Sequence, residues 1–172
     1  METRHGLPKG DPGFRRDDGG LTERSRHPLI RHAPDPDHPG WWTWDLPDER
    51  RYNATIGKLL VRGEGEGRAR CRMFPDERQA NLGDVVHGGA ILTFVDMAMF
   101  AGGYAAGAAI GPAVTLDLSA HFLSAARLGA PLDCAVEVLR ESRNLAVMRG
   151  LVEQEGETVA AWSGTLRKLS RR

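Results

Sequence analysis

A long, nearly uncharged stretch in the middle of the chain constrains its fold most. Between Val85 and Val114 the one formally charged residue is Asp96. The stretch is long enough to span a bilayer, but a carboxylate at its centre would be costly in lipid. Residues from Gly88 to about Gly107 are apolar nearly all round, which predicts a helix buried in a soluble protein.

Alternation of apolar and polar residues predicts strands on both sides of this helix. The predicted strands are 58–62, 67–74, 114–119, 131–141, 144–154 and 157–168. Two strands precede the helix and four follow it, so helices and strands do not alternate and a parallel sheet of βαβ units is disfavoured. The order predicts an α+β fold, in which an antiparallel sheet of about six strands wraps around one long central helix.

Length and composition predict one folded domain with an N-terminal extension. A chain of 172 residues is typical of a single domain. Residues 1–40 hold six prolines and six glycines with few large apolar residues, which predicts a disordered tail. Residues 41–57 begin with three closely spaced tryptophans and are interpreted as a segment that docks onto the domain. Residues 58–172 form the predicted domain.

Charge and cysteine content limit the partners and the compartment. Lys plus Arg and Asp plus Glu are 23 each, so the zero net charge gives no overall attraction to nucleic acid or membrane. Cys71 and Cys134 are far apart in the sequence and form no CxxC motif, which fits buried thiols in a reducing compartment. No apolar run follows Met1, so we expect no signal peptide and a cytoplasmic protein.

Asp96 is the candidate catalytic group, because a carboxylate on an apolar helix is costly unless it has partners or a function. A structural hydrogen bond to a neighbour is the alternative. The predicted helix begins at His87-Gly88-Gly89. The first N–H groups of a helix lack intrahelical acceptors and favour negative charge, so they could stabilise an oxyanion. Glycines let a ligand approach that backbone closely, although glycine is common at helix starts.

The spacing of Gly88 and Asp96 predicts a site shared by two subunits. Eight residues at about 1.5 Å each separate them by about 12 Å along the helix axis. A water activated by the carboxylate and the oxyanion donor must both lie within roughly 3 Å of one carbonyl group. Two antiparallel copies of the helix can meet this requirement more easily than one.

The sequence around Gly88 and Asp96 resembles that of the phenylacetate-degradation-type (PaaI-like) hotdog thioesterases. The resemblance rests on Asn81, on His87-Gly88-Gly89 and on Asp96, within the stretch GDVVHGGAILTFVD. The segments VTLDL and FLSAARLG and the last strands also fit, so the resemblance covers about residues 57–169. It implies a hotdog fold and hydrolysis of acyl-CoA or aryl-CoA thioesters.

The resemblance also implies roles for individual residues. Asp96 would be the general base or the nucleophile, and the Gly88 amide would polarise the thioester carbonyl. Asn81 would position the thioester or the water, and Thr115 stands where relatives hold the water with a hydroxyl. His87 would either orient the carbonyl or cap the helix.

Substrate contacts and assembly are implied in the same way. Gly89 would line the substrate site, and Arg127 would lie near the CoA portion, unless it is an ordinary surface arginine. No metal or cofactor is implied. The expected assembly is a homodimer, and further a dimer of dimers, which would be a homotetramer.

Several alternatives stay open at this level. A hotdog hydratase would need a histidine five residues after its aspartate, but that position is Ala101. A non-catalytic acyl-CoA sensor could keep the same pocket, although binding alone does not need Asp96. Aromatic, medium-chain and long-chain acyl groups, and CoA or acyl carrier protein, all fit. Residues 41–57 could also act as a lid near an acyl pocket.

Overall fold

The computed structural model describes residues 30–46 and 48–169. One antiparallel sheet and one long helix dominate this part of the chain. In chain order the strands and the helix are β1 Trp42–Thr43, β2 Leu59–Gly65, β3 Arg68–Met73, α1 Gly88–Ala105, β4 Ala113–Phe122, β5 Leu132–Glu141, β6 Leu145–Gln154 and β7 Glu157–Lys168. Short 3₁₀ helices span Tyr52–Ile56 and Glu77–Gln79.

The seven strands form a single sheet in the order β1-β2-β3-β5-β6-β7-β4. All neighbouring strands are antiparallel. The six strands expected from the sequence are all present, and the two-residue β1 is an addition from the tryptophan-rich segment. Strand β4, which follows the helix, pairs with β7 and has no partner strand on its other side within residues 30–46 and 48–169. The open edge of the sheet therefore lies next to the helix that carries Asp96.

Helix α1 packs against the inner face of the sheet. Phe94, Val95 and Ala98 are fully buried there. A Cβ atom on Gly102 would lie 2.5 Å from Val136 Cγ2, so glycine at this position allows the helix to approach β5 closely. By length and composition α1 could cross a membrane, but half of it is buried against the rest of the protein, as expected of a core helix.

Strand β3 has one buried face and one partly exposed face, as its alternating sequence predicts. Its inward side chains, Ala69, Cys71 and Met73, are almost completely buried. The outward arginines are paired with carboxylates on neighbouring strands. Arg72 donates two hydrogen bonds of 2.6 and 2.8 Å to Asp133 on β5. These arginines therefore belong to a salt-bridged outer face of the sheet.

The N-terminal extension docks earlier in the chain than the sequence predicts. Residues 1–29 of the predicted tail lie outside the described residues. Residues 30–40, however, run beside the following segment, through bridges between Arg31 and Asp45 and between Pro34 and Trp42. Residues 30–40 of the predicted tail are therefore in contact with the segment that follows them, through backbone and ionic contacts that their low content of large apolar residues did not reveal.

Asp35 is the main ionic anchor of this docked part. Its carboxylate is buried and lies 2.5 Å from Lys58 Nζ and 2.7 Å from His38 Nδ1. The Lys58 ammonium, assisted by His38, holds the pKa of the Asp35 carboxyl at about 2, although burial acts in the opposite direction. Beside this anchor, the Trp41 ring packs against the guanidinium groups of Arg62 and Arg72 at 4.6 and 4.7 Å.

Candidate active site

Asp96 and Thr115 are brought together at the open edge of the sheet. Asp96 lies in the middle of α1, and its side chain is partly exposed. Thr115 lies on β4 and donates a hydrogen bond of 2.6 Å from Oγ1 to Asp96 Oδ1. The second carboxylate oxygen has no hydrogen-bond donor within the described residues. The carboxylate is thus oriented by one hydroxyl and keeps an oxygen free to accept a proton.

The start of α1 presents a single unused amide. His87 is the N-cap, and its Nδ1 accepts a hydrogen bond of 2.8 Å from the Gly89 N–H. The N–H groups of Ala90 and Ile91 both donate to the His87 carbonyl oxygen. No described residue accepts a hydrogen bond from the Gly88 N–H. This amide is therefore the candidate oxyanion donor.

Two of the predicted site residues, His87 and Gly89, form the cap of the helix. His87 was expected either to orient a carbonyl or to cap the helix, and in the structure it caps the helix. Gly89 was expected to contact substrate, but its N–H is engaged by the His87 ring. A Cβ atom on Gly89 would lie 3.0 Å from His87 Nδ1, so glycine at this position accommodates the cap.

Asn81 shapes the loop that leads into the helix. Its Oδ1 accepts hydrogen bonds from the N–H groups of Gly83 and Val85 at 2.7 and 3.4 Å. Its backbone N–H donates to the Val85 carbonyl oxygen at 2.8 Å. Within the described residues the side-chain NH₂ group of Asn81 has no acceptor. It is thus a second candidate donor on the same side of the site as Gly88.

Arg127 lies beside this loop. It forms a bridge with Val85, and its backbone N–H donates to Gln154 Oε1 at 2.7 Å. Its side chain is exposed and forms an ion pair with Glu155. Arg127, Gln154 and Glu155 line a surface cavity of about 270 Å³. The Arg127 backbone thus lies beside the loop before α1, and its guanidinium group is held by Glu155.

The predicted residues thus form two groups within one chain. Asp96 and Thr115 make up the first group, and Asn81, Gly88 and Arg127 lie together around the loop before α1. No hydrogen bond joins the two groups within residues 30–46 and 48–169. The separation estimated from the sequence, about 12 Å along the helix, keeps them apart.

A second, larger cavity lies under the docked N-terminal segment. Its volume is about 620 Å³, and Trp44, Asp45, Lys58 and Met97 are among its lining residues. Burial raises the pKa of the Asp45 carboxyl. Since Met97 is among the lining residues and follows Asp96 on α1, this cavity borders the helix that carries Asp96.

Phe122 is a neighbour of the site that the sequence did not single out. A Cβ atom on Gly88 would lie 3.3 Å from Phe122 Cζ. The two residues are far apart in the chain and belong to different elements, so no local pattern connects them.

Comparisons with known proteins agree with this fold. Residues 83–161 match the thioesterase superfamily. Human acyl-coenzyme A thioesterase 13 is 28% identical over 101 residues, which are 56% of this chain and 69% of that protein. A variant of the phenylacetic acid degradation protein PaaI from Thermus thermophilus is 27% identical, with a TM-score of 0.58, over 69% of this chain and 98% of that one. A hypothetical thioesterase from Streptococcus pneumoniae, solved with coenzyme A, is 20% identical and shares the fold, with a TM-score of 0.60 over 69% of this chain and 91% of that one.

The fold is the hotdog thioesterase fold. The match to the thioesterase superfamily over residues 83–161 and the similarity to PaaI proteins support thioester hydrolase activity. The hotdog fold and the likeness to PaaI proteins expected from Asn81, His87-Gly88-Gly89 and Asp96 are confirmed.

Proposed function

We propose that this protein hydrolyses acyl-CoA or aryl-CoA thioesters to the free acid and CoA, in an active site built from two subunits. One subunit contributes Asp96 and Thr115, and the other contributes Gly88 and Asn81. The hydrogen bond of 2.6 Å between Thr115 and Asp96 is the observation that carries the proposal, because it orients a carboxylate in an otherwise apolar helix.

The chemistry follows from these groups. The thioester carbonyl oxygen accepts a hydrogen bond from the Gly88 N–H, and negative charge develops on it as the carbonyl carbon is attacked. Asp96 either removes a proton from the attacking water or attacks the carbon itself. Collapse of the tetrahedral intermediate breaks the C–S bond and releases the CoA thiolate, which takes up a proton. If Asp96 is the nucleophile, water then hydrolyses the acyl-enzyme anhydride.

Two features support a composite site. The Gly88 amide and the Asp96 carboxylate are separated along one helix by about 12 Å, too far to act on one carbonyl. The edge of β4 is open, and Val114 and Leu116 on this strand are 44% and 55% exposed. An exposed apolar edge strand favours pairing with a second chain. A twofold axis there would bring two copies of α1 side by side in opposite directions, and the proposed tetramer would be a pair of such dimers.

CoA is the proposed carrier of the acyl group. Arg127 offers an exposed guanidinium beside the loop before α1, and guanidinium groups suit phosphate recognition. The names of the human relative and the coenzyme A complex of the Streptococcus pneumoniae protein agree with this carrier. The proposed compartment is the cytoplasm, which fits the free, buried thiols of Cys71 and Cys134.

A hydrolysis panel tests the proposal directly. Purified protein is supplied with acetyl, medium-chain, long-chain and aromatic CoA thioesters and with one acyl carrier protein thioester, and free thiol is measured. We expect turnover of at least one class of CoA thioester, and its loss in Asp96→Asn. Tight binding of CoA thioesters without release of thiol would overturn the proposal in favour of a sensor, and a preference for acyl carrier protein would overturn the choice of CoA.

A further inference from the structure

The ring of Phe122 packs against Gly88, the residue whose N–H is the candidate oxyanion donor. Phe122 is the last residue of β4, where it pairs with Ala160, and its side chain is half exposed. The tip of its ring points at the backbone of Gly88. A Cβ atom built on Gly88 would lie 3.3 Å from Cζ and 3.6 and 3.7 Å from the two Cε atoms. The aromatic ring therefore occupies the space that a side chain at position 88 would take, beside the backbone that carries the unused N–H.

This contact has two physical consequences. A side chain at position 88 would press on the ring tip, which would have to move by a few tenths of an ångström. The ring also takes up space beside the Gly88 backbone that water would otherwise fill. A hydrogen bond to a developing oxyanion is stronger where water does not compete for the donor.

We propose that Phe122 is a positioning residue for thioester hydrolysis, acting through Gly88. Its ring limits the approach of the carbonyl oxygen to the open side of the amide and keeps water from that donor. This inference rests on the proposed function, since it requires that the Gly88 N–H stabilises the transition state. Because negative charge on the carbonyl oxygen develops only during the reaction, we expect the loss of Phe122 to lower kcat more than it changes KM.

Single substitutions give the first test. In Phe122→Ala we expect kcat for the best CoA thioester to fall by about tenfold, with KM changed by less than about twofold. Phe122→Leu, which keeps an apolar cover, should recover most of this loss. Leu123→Ala is the matched control, because Leu123 is the neighbouring exposed apolar residue, while the three atoms nearest to a Cβ at position 88 all belong to Phe122.

Coupling between the two positions gives the second test. Gly88 lies within α1, so Gly88→Ala is compatible with its backbone but forces the Phe122 ring to move. We expect this substitution to lower kcat in the wild-type background, and to lower it by a clearly smaller factor when Phe122 is already alanine.

The outcomes separate this inference from the proposed function. Wild-type protein that hydrolyses no thioester would contradict the function itself. Wild-type turnover together with an unchanged kcat in folded Phe122→Ala would overturn the role of Phe122 alone. Equal effects of Gly88→Ala in both backgrounds would do the same, as would a loss of equal size in Leu123→Ala. Melting temperatures of all variants identify any loss that comes from unfolding.

Discussion

Thr115 Oγ1 lies 2.6 Å from Asp96 Oδ1 and joins the edge strand β4 to the middle of the central helix. This hydrogen bond fixes the carboxylate on the side of α1 that faces the open edge of the sheet. Orientation of a catalytic base by a second group is a general requirement of such sites. In the proposed mechanism this pair activates the attacking group, and the Gly88 amide stabilises the oxyanion.

The hydroxyl of Thr115 is expected to contribute to turnover through this bond. Thr115→Val keeps the shape of the side chain but removes the donor, so we expect kcat to fall by about ten- to a hundredfold. Thr115→Ser keeps the hydroxyl and should retain most of the activity. Steady-state kinetics of both variants checks this, and equal activity of the Val and Ser variants would show that the bond is structural.

Asp96 is expected to be indispensable for the chemical step. Asp96→Asn preserves the shape but cannot take a proton from water or form an acyl intermediate, so kcat should fall by about 10²–10⁴ while substrate binding remains. Asp117→Asn is the control, since Asp117 is an exposed carboxylate on the same strand as Thr115. Steady-state kinetics and binding of a CoA thioester are measured for both variants. A near-normal kcat in Asp96→Asn would show that another group performs the catalytic step.

Arg127 is expected to act on affinity for the CoA portion. Arg127→Ala should raise KM for CoA thioesters by about tenfold and leave kcat unchanged, because a contact made equally in the ground and transition states affects KM. Thioesters of N-acetylcysteamine, which lack phosphates, should show no such change. Glu155→Gln, which frees the guanidinium, should lower KM for CoA thioesters. Arg140→Ala, at an exposed arginine on β5, is the control, and the same increase of KM there would remove the special role of Arg127.

Asp35 is expected to make stability depend on acid pH. Its pKa is lowered from 3.8 to about 2 in the folded protein, so its contribution is complete above about pH 4 and is lost as the pH falls toward 2. Asp35→Asn should therefore lower the melting temperature at pH 7, and the difference from wild type should shrink below pH 4. Thermal melts at several pH values check this. A difference that is constant with pH would show that packing of the segment matters and the charge does not.

The fold was largely predictable because its strongest signals are local. The apolar stretch that begins at Gly88 marked the helix, and the alternation of Ala69, Cys71 and Met73 marked the buried face of β3. The docking of residues 30–40 was not predictable, because it depends on the partners that His38 and Lys58 provide for Asp35. Lys58 is far enough along the chain that no sequence period connects it with Asp35.

The sequence predicted which residues belong to the candidate site better than it predicted the contacts among them. The structure joins Asp96 to Thr115, and it leaves Gly88 with the free amide that the sequence suggested. It assigns His87 to capping and occupies the Gly89 amide, a choice that depends on the position of the His87 ring. The Phe122 ring over Gly88 could not be foreseen, because it requires the end of β4 to meet the start of α1.

The composite site is the central claim, and mixed dimers test it. One inactive variant is Asp96→Ala. The other is Gly88→Pro, which removes the proposed donor and is compatible with the first turn of a helix. His87 already has the extended backbone, φ −64° and ψ 135°, that precedes proline. The half-exposed Phe122 ring has to yield by a few tenths of an ångström, so the fold of both variants is verified first.

Equal amounts of the two variants are unfolded together and refolded, and hydrolysis of the best CoA thioester is measured. About half of the dimers should be mixed, and each mixed dimer holds one intact site, so we predict about a quarter of wild-type activity. Each variant refolded alone should stay inactive. Absence of recovery, with mixed dimers verified by mass and both variants folded, would contradict a site shared between two subunits.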